Sequence, residues 1–542
     1  MRRGRHIPLL YCALVALRIP AQEAEPDDPG IVLPPVLLEV EDLQVEQVDA
    51  ALPVDEDQLR PEISIPLPEA EELYLPEEVF DIPYPDQVGV TPGEGETNFS
   101  EYIQSPSREI FSDGRIGVGA PIYVLGDLVL YKLGDSPRFT LNFLHEKLDG
   151  YGFVNLPGSG YFNSIDILDG SISFELEKTN VEIQGEIAEK SYGLQGNPSG
   201  SYDSITYRTV SGVATANHEA NTIFSLFAQL DGSYLGQILT STAPVISAEF
   251  ALMPSLRGTV SFDSFDLSLF FDYGLVSTTN PLDTNVDHRI HTGIALRYFS
   301  PADIQIYLDT GMYWSAMASL LPDVAAGLIG NISTSFQFQA EAGYVAGPQL
   351  NLHAMARSPY LELAALAPLS GFYGDVAAQM RPIPTLLFAT HIRFSLLEGL
   401  VDPNELFESD TGLFAYTDAQ KTTLQSDIEI EWTISRYLGL ELGWYAKFIE
   451  RRRFTPVQSI ALSLTAEDPS ERFGVLFDAG VDFMPEVSLP RLSLGGYYRI
   501  SDSVRFQLDV SDALSPLESG RTDWDPYIEP GLNATLTTSI SL

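Results

Sequence analysis

The chain has 542 residues, with 75 Asp and Glu against 30 Lys and Arg and a formal net charge of −45 at pH 7. Phosphate neutralisation needs clustered Lys and Arg, and no such stripe exists, so nucleic acid is excluded as a partner. The single cysteine, Cys12, excludes the disulfide scaffold of small secreted domains and leaves burial and backbone pairing to hold the fold.

Arg2, Arg3 and Arg5 precede an apolar stretch from Ile7 to Leu17, and a small-residue cut follows Ala21. Residues 1–21 therefore read as a signal peptide, although Ile19 is larger than the residue usually found three positions before a cut. Cys12 follows Leu9, Leu10 and Tyr11, and the bulk of Tyr11 argues against a lipoprotein signal. No run of about 18 apolar residues comes later, so no helical membrane span is expected.

Residues 22–110 read as an acidic, proline-rich tail. Between Gln22 and Ser105 stand 23 Asp and Glu, one basic residue, Arg60, and 12 prolines. Such a segment buries too little apolar surface to offset its ordering entropy, and its charges repel one another, so disorder is expected. Pieces such as Ile63-Ser64-Ile65-Pro66-Leu67-Pro68 favour extended backbone. Val40-Glu41-Asp42-Leu43-Gln44-Val45 alternates apolar and acidic residues and could add as a strand to a partner, although a disordered spacer explains it better.

From about Phe111 the texture becomes period-two alternation broken by turns. Ile172, Phe174 and Leu176 oppose Ser173, Glu175 and Glu177; after a turn at Lys178-Thr179-Asn180, Val181, Ile183 and Ile187 oppose Glu182, Gln184 and Glu186. Ile428, Ile430, Trp432 and Ile434 oppose Asp427, Glu429, Glu431 and Thr433, and Leu438 to Trp444 continue the pattern after Ser435-Arg436. The chain ends in the same way, with Leu532, Ala534, Leu536, Thr538, Ile540 and Leu542 facing away from a row of Asn, Thr and Ser.

Connection lengths alternate as well. Short links are expected at Ile500 to Ser503, Ala466 to Glu471, Ser435-Arg436, Met380 to Pro384, Val345 to Gln349 and Phe299 to Asp303. Long ones are expected at Ser511 to Glu529, Leu396 to Gln420, Arg357 to Gly371 and Tyr313 to Asn331. That two-sided asymmetry, with 25 Tyr and 29 Phe and only 19% charged residues, fits a transmembrane antiparallel β-barrel with tight turns on one side and loops on the other. The ladder gives about 22 strands over residues 111–542, an all-β fold whose even strand number puts both chain ends on the periplasmic side.

Gly117-Val118-Gly119-Ala120-Pro121, the His145 strand and Asn163-Ser164 resemble the barrel part of TonB-dependent receptors, as do Leu508 to Leu514 and Tyr527-Ile528-Glu529-Pro530-Gly531-Leu532 before the last strand. That resemblance implies a 22-stranded outer-membrane barrel with a transport role. The chain differs from the family in ending on Leu542 rather than an aromatic residue. It also lacks a convincing energy-coupling box, and its tail cannot supply a plug domain.

If the apolar face meets lipid, the opposite face lines the interior with Glu175, Glu177, Glu182, Glu186, Asp303, Asp309, Glu341, Asp427, Glu429, Glu431, Asp478 and Asp482. Carboxylates so placed favour cations, or simply keep a wide interior wet, with Arg491, Arg499 and Arg505 balancing part of the charge. His288 and His291 point to opposite faces of one strand, which spoils a shared metal site. There is no G-x-S-x-G elbow, so no enzyme, cofactor or metal is expected. Asp402 to Asp410 lacks the spacing of a calcium loop, and Arg451, Arg452 and Arg453 read as solvated residues at a hairpin connection. Leu361 to Leu369 and Met317 to Leu321 are candidates for short helices that constrict the barrel mouth, or for lipid-side contacts.

The expected role is passage of small solutes through an outer-membrane barrel of a Gram-negative-type envelope. The alternative is a surface-structural or adhesion barrel that binds an external partner through its long loops; an outer-membrane enzyme is a further rival. Outer-membrane lipid and the barrel-assembly machinery are the implied partners, with a periplasmic or peptidoglycan partner for the tail.

Overall fold

A computed structural model describes residues 110–541, apart from 135, 152–159, 197–201, 242–243, 282, 302, 358, 400–401, 409–410, 418–420, 450–457, 484–487 and 518–526. The expected signal peptide and nearly all of the acidic tail, the question of a plug and the Arg451 to Arg453 cluster lie outside the described residues.

The strands run in chain order as β1 Ile110–Ala120, β2 Ile122–Lys132, β3 Arg138–Asp149, β4 Phe162–Leu176, β5 Thr179–Gly193, β6 Ser204–Glu219, β7 Phe224–Thr240 and β8 Val245–Ser261. They continue as β9 Phe265–Thr279, β10 Thr284–Ser300, β11 Ile304–Ser315, β12 Ala318–Ser333, β13 Phe336–Gly347, β14 Leu369–Ile383, β15 Leu386–Glu398, β16 Asp402–Glu408 and β17 Leu413–Thr417. The last are β18 Lys421–Ser435, β19 Leu438–Ile449, β20 Gln458–Glu467, β21 Phe473–Phe483, β22 Arg491–Ser501, β23 Val504–Ser511 and β24 Asn533–Ser541, and among the described residues one α-helix, α1, covers Asn351–Arg357.

All strands except β16 and β17 form one 22-stranded antiparallel sheet. Its first and last members pair with each other, from Asp113 against Ser541 to Ala120 against Ala534. The sheet is thus a closed barrel with no free edge, the form that satisfies every strand's backbone groups inside a membrane. β16 and β17 make a separate hairpin in the connection between β15 and β18.

Period-two alternation decides which face is which. Outward-facing Leu267, Leu269 and Phe271 on β9 and Ile294, Leu296 and Tyr298 on β10 are well exposed, with Leu269 at 60%. Their neighbours Asp266, Ser268 and Asp272, and Ala295 and Arg297, point inward. An exposed apolar belt around a polar interior marks a transmembrane barrel of the outer-membrane type. Among the described residues no helix is long and apolar enough to cross a membrane.

On β3 to β6 the belt ends sharply. Phe143, Leu168, Ile187 and Val210 form its last row, and the next outward row is His145, Asp166, Glu189 and Arg208. His145 Nδ1 lies 2.6 Å from Asp166 and Arg208 Nε donates to Glu189 over 2.7 Å. A histidine and three charged groups facing outward place this row at the hydrocarbon boundary, because polar and charged groups at the bilayer centre are costly.

Connections at the end where β1 starts and β24 finishes are short, none exceeding the five residues of 133–137 and 468–472. The opposite end carries the long loops 348–368, 399–420 and 512–532, alongside tight links at Pro121 and Ala316-Met317. The strand number and the two-sided asymmetry agree with the sequence reading, but one stretch does not. The expected long link from Tyr313 to Asn331 is a two-residue turn followed by β12, and the expected short link at Val345 to Gln349 opens the long loop that contains α1. β12 hides its alternation because Ala325 and Gly327 occupy inward positions where other strands carry polar groups. The sequence from Leu350 to Met355 alternates like a strand, yet Leu350 and Ala354, one helical turn apart, are both buried, as is Met355 beside Ala354.

Inside the wall, long side chains tie strands that are not neighbours. His291 on β10 lies between Asp272 on β9 and Asp323 on β12, at 3.1 and 3.0 Å, passing over Gly311 of β11. A Cβ on Gly311 would sit 3.1 Å from that imidazole. Tyr307 of β11 likewise lies over Gly327 of β12 and donates to Glu341 of β13, which also accepts from Tyr373 of β14. A Cβ on Gly327 would fall 2.4 Å from the Tyr307 ring. Gly327→Ala should therefore displace the ring and weaken its bond to Glu341, lowering stability by about 1–3 kcal/mol in denaturant titrations of the refolded barrel.

Candidate functional site

The candidate site is the lumen and its long-loop end. Glu182 and Glu186 on β5, Glu341 on β13, Asp427, Glu429 and Glu431 on β18 and Asp478 and Asp482 on β21 all occupy the face opposite the apolar belt. Glu175, near the end of β4, accepts from Arg138 Nη2 over 2.6 Å. Glu177 and Asp303 lie in short turns between strands, not on the wall, and Asp303 adopts φ 54°.

Several of these carboxylates have partners. Glu182 accepts from Gln184 at 2.7 Å. Asp482 accepts from Ser459 at 2.7 Å and pairs with Arg491 at 3.4 Å. Asp427 faces His391 Nδ1 at 3.2 Å, while His391 Nε2 meets Asp375 at 2.8 Å. Three others converge: Glu429, Glu431 and Glu441 of β19 bring carboxylate oxygens within 4.8 Å of one another on an exposed stretch of wall near the short-turn end. That cluster concentrates negative charge where water reaches it, the arrangement that draws in counter-ions.

The histidines separate as their spacing requires. His288 faces outward beside Tyr273 Oη at 2.8 Å, and His291 faces inward between its two aspartates. The partners of His291 and His391 escaped the sequence reading because they lie on other strands, and only the register brings them together.

At the long-loop end, segments from different parts of the ring meet over the inner face of β5 to β8. Residues on β6 and β7 can touch the loop between β13 and β14 only across the interior. Leu194, Ile205, Tyr207, Leu235 and Leu239 of that wall pack with Met355, Tyr360, Leu361, Leu363, Leu413, Phe414 and Tyr527 from the loops. Fully burying each leucine contributes roughly 1.5–3 kcal/mol, which holds the loops inward.

Polar contacts fix the register of this cover. Gln237 on β7 donates to Leu361 O at 2.7 Å and accepts from Leu363 N at 3.1 Å. Tyr207 Oη donates to Pro359 O at 2.7 Å. Leu361 bridges Phe414 of the β16–β17 hairpin in parallel, with Glu362 N donating to Phe414 O at 3.0 Å and Phe414 N to Tyr360 O at 2.8 Å. The rings of Tyr360 and Tyr527 stack with centroids 3.7 Å apart, and Gln195 ties Ile528 by donating to its carbonyl and accepting from its N–H, both at 2.8 Å. Burial pushes the hydroxyls of Tyr360, Tyr527 and Tyr151 above their ordinary range, so each stays a neutral phenol at physiological pH.

The segment from Leu361 to Pro368 forms no helix, and Met317 to Leu321 is a turn and the start of β12; the helix in this region is α1. Asp402–Glu408 forms β16, and its side chains lie outside the described residues.

This is the fold of outer-membrane transport receptors. The FrpB iron transporter of Neisseria meningitidis superposes with a TM-score of 0.62 at 7% identity, covering 80% of this chain and 82% of the transporter. The ferric-catecholate import receptor Fiu of E. coli K12 gives 0.55 at 12% identity, with 80% and 81% covered. The ferripyoverdine receptor of the outer membrane of Pseudomonas aeruginosa gives 0.59 at 12% identity, with 80% and 72% covered. No family model matches the chain, and no curated protein matches it in sequence. At these identities the likeness establishes the barrel architecture, and the 22 strands agree with the count read from the sequence.

Proposed function

We propose that this barrel sits in the outer membrane of a Gram-negative-type envelope and passes small solutes, with a preference for cations. The observation that carries the reading is the row of inward carboxylates, above all Glu429, Glu431 and Glu441, on a wall whose other face is apolar. Negative groups lining a wet interior raise the local cation concentration and lower that of anions. The transport roles in the names of its structural neighbours favour passage over catalysis, and the reading takes the chain to be no enzyme.

Outer-membrane lipid surrounds the belt in this reading, and the barrel-assembly machinery inserts it. Residues 22–110 serve as an acidic spacer that reaches a periplasmic partner or peptidoglycan. The test is current through planar bilayers containing the purified protein in a KCl gradient. A cation-selective reversal potential supports the proposal, and the absence of any current counts against it.

A further inference from the structure

We propose that residues 348–368 form a strap that lifts from and returns to the inner wall at the long-loop end, latched by the carboxylate of Glu249. The proposal rests on the reading of the barrel as a solute passage and says where that passage is controlled.

The strap leaves β13, lies against β6, β7, β8 and β10, and rejoins the wall at β14. Its polar ties to the barrel wall aim largely at its backbone, while Glu362 N, Tyr360 O and Gln349 Nε2 tie it to the next loop, at Phe414 and Gly399. Besides Gln237 and Tyr207, Arg289 Nη1 of β10 donates to Gln349 O at 3.2 Å, and Glu249 of β8 accepts from Asn351 N at 2.8 Å and Nδ2 at 2.6 Å. Wall side chains that grip mostly backbone let the strap leave as a unit without rebuilding either strand face. At its returning end Gly371 adopts φ 151°, where a Cβ would meet Leu396 O at 2.1 Å. Only glycine permits that bend.

The latch is built from buried charge. Glu249 and Asp287 are each 2% exposed, and Arg289, 3% exposed, is the cation packed with them, bonded to Asp287 at 2.6 Å. Two carboxylates face one guanidinium, so Glu249 depends on donors from the strap, the N–H and side-chain amide of Asn351 at the start of α1. A buried carboxylate is expensive without donors and comfortable in water. Lifting the strap breaks these bonds but hydrates Glu249, so the latch favours the closed arrangement by less than two buried bonds to a carboxylate would without that hydration, and the open arrangement stays within reach. This is the condition for a two-state closure.

Leu235, 2% exposed and packed beneath Leu361 and Leu363, gives the readout. In a Cys12→Ala background, Leu235→Cys should react slowly with a water-soluble maleimide. Adding Glu249→Ala with Gln237→Ala should accelerate labelling at least tenfold in protein that still shifts on unboiled gels. Tyr207→Phe, which removes one hydroxyl and leaves the ring, should accelerate it about threefold and serves if the double variant does not fold. Unchanged labelling in both variants would show the strap to be a fixed part of the wall and overturn the proposal, even if the parent conducts. Accelerated labelling with no current in either parent or variants would uphold the moving strap and count against solute passage.

Discussion

Arginine at position 462 should destabilise the barrel by about 2–4 kcal/mol, whereas arginine at the adjacent position 463 should leave it within about 1 kcal/mol of the parent. Leu462 sits midway along β20 on the outer face, opposite Leu442 and Ala479. A guanidinium there must be dragged toward the headgroups or left in hydrocarbon. Ser463 faces inward between Glu441 and Asp478. An arginine at that site enters water and finds two carboxylates. Denaturant unfolding in lipid vesicles, with the folded fraction read on unboiled gels, distinguishes the two. Equal stability losses would mean that the apolar face does not meet lipid.

Replacing Glu429, Glu431 and Glu441 together by glutamine should cut cation over anion permeability by about twofold or more, read as a reversal potential moving toward zero in a salt gradient. The three groups crowd one patch of wall, and they face water, so neutralising them removes field without opening a cavity. Screening over roughly 8 Å at physiological ionic strength predicts a larger effect at low salt. An unaltered reversal potential at low salt would mean that ions pass along another part of the wall.

The barrel was legible because two solvents act on one backbone. Ile428, Ile430 and Trp432 meet the belt while Asp427, Glu429 and Glu431 meet the lumen, so alternation survives in the sequence. It fails where the lumen side is crowded. Gly327 on β12 makes room for the Tyr307 ring and Ala325 carries no polar group, and without polar residues at these positions the strand read as a loop. Leu350 to Met355 failed in the opposite sense, since a helix packed into the lumen is apolar where the barrel's interior is otherwise polar.

The internal cover was only half visible. Leu361 to Leu369 stood out as an apolar loop piece, but its partners Gln237, Tyr207 and Phe414 lie far away in sequence and on different strands. The same distance hid the ties of His291 and His391, whose aspartates fall into place only through the register of three or more strands. Sequence periodicity fixes which face a residue takes, and not which residue it meets.

The strands of this barrel are unequal in length: β7, β8 and β10 have 17 residues, while β23 and β24 have 8 and 9. At about 3.4 Å per residue and a tilt near 40°, the short pair rises roughly 20–25 Å, enough for the hydrocarbon alone, and the long ones more than 40 Å. The surplus height on one flank, beginning at the outward row from His145 to Arg208, stands above the bilayer as a crescent-shaped parapet. Where the first and last strands join, the wall itself ends lower and the chain continues from it in the loop 512–532, so the two flanks of the long-loop end are built differently, one of sheet and the other of loop.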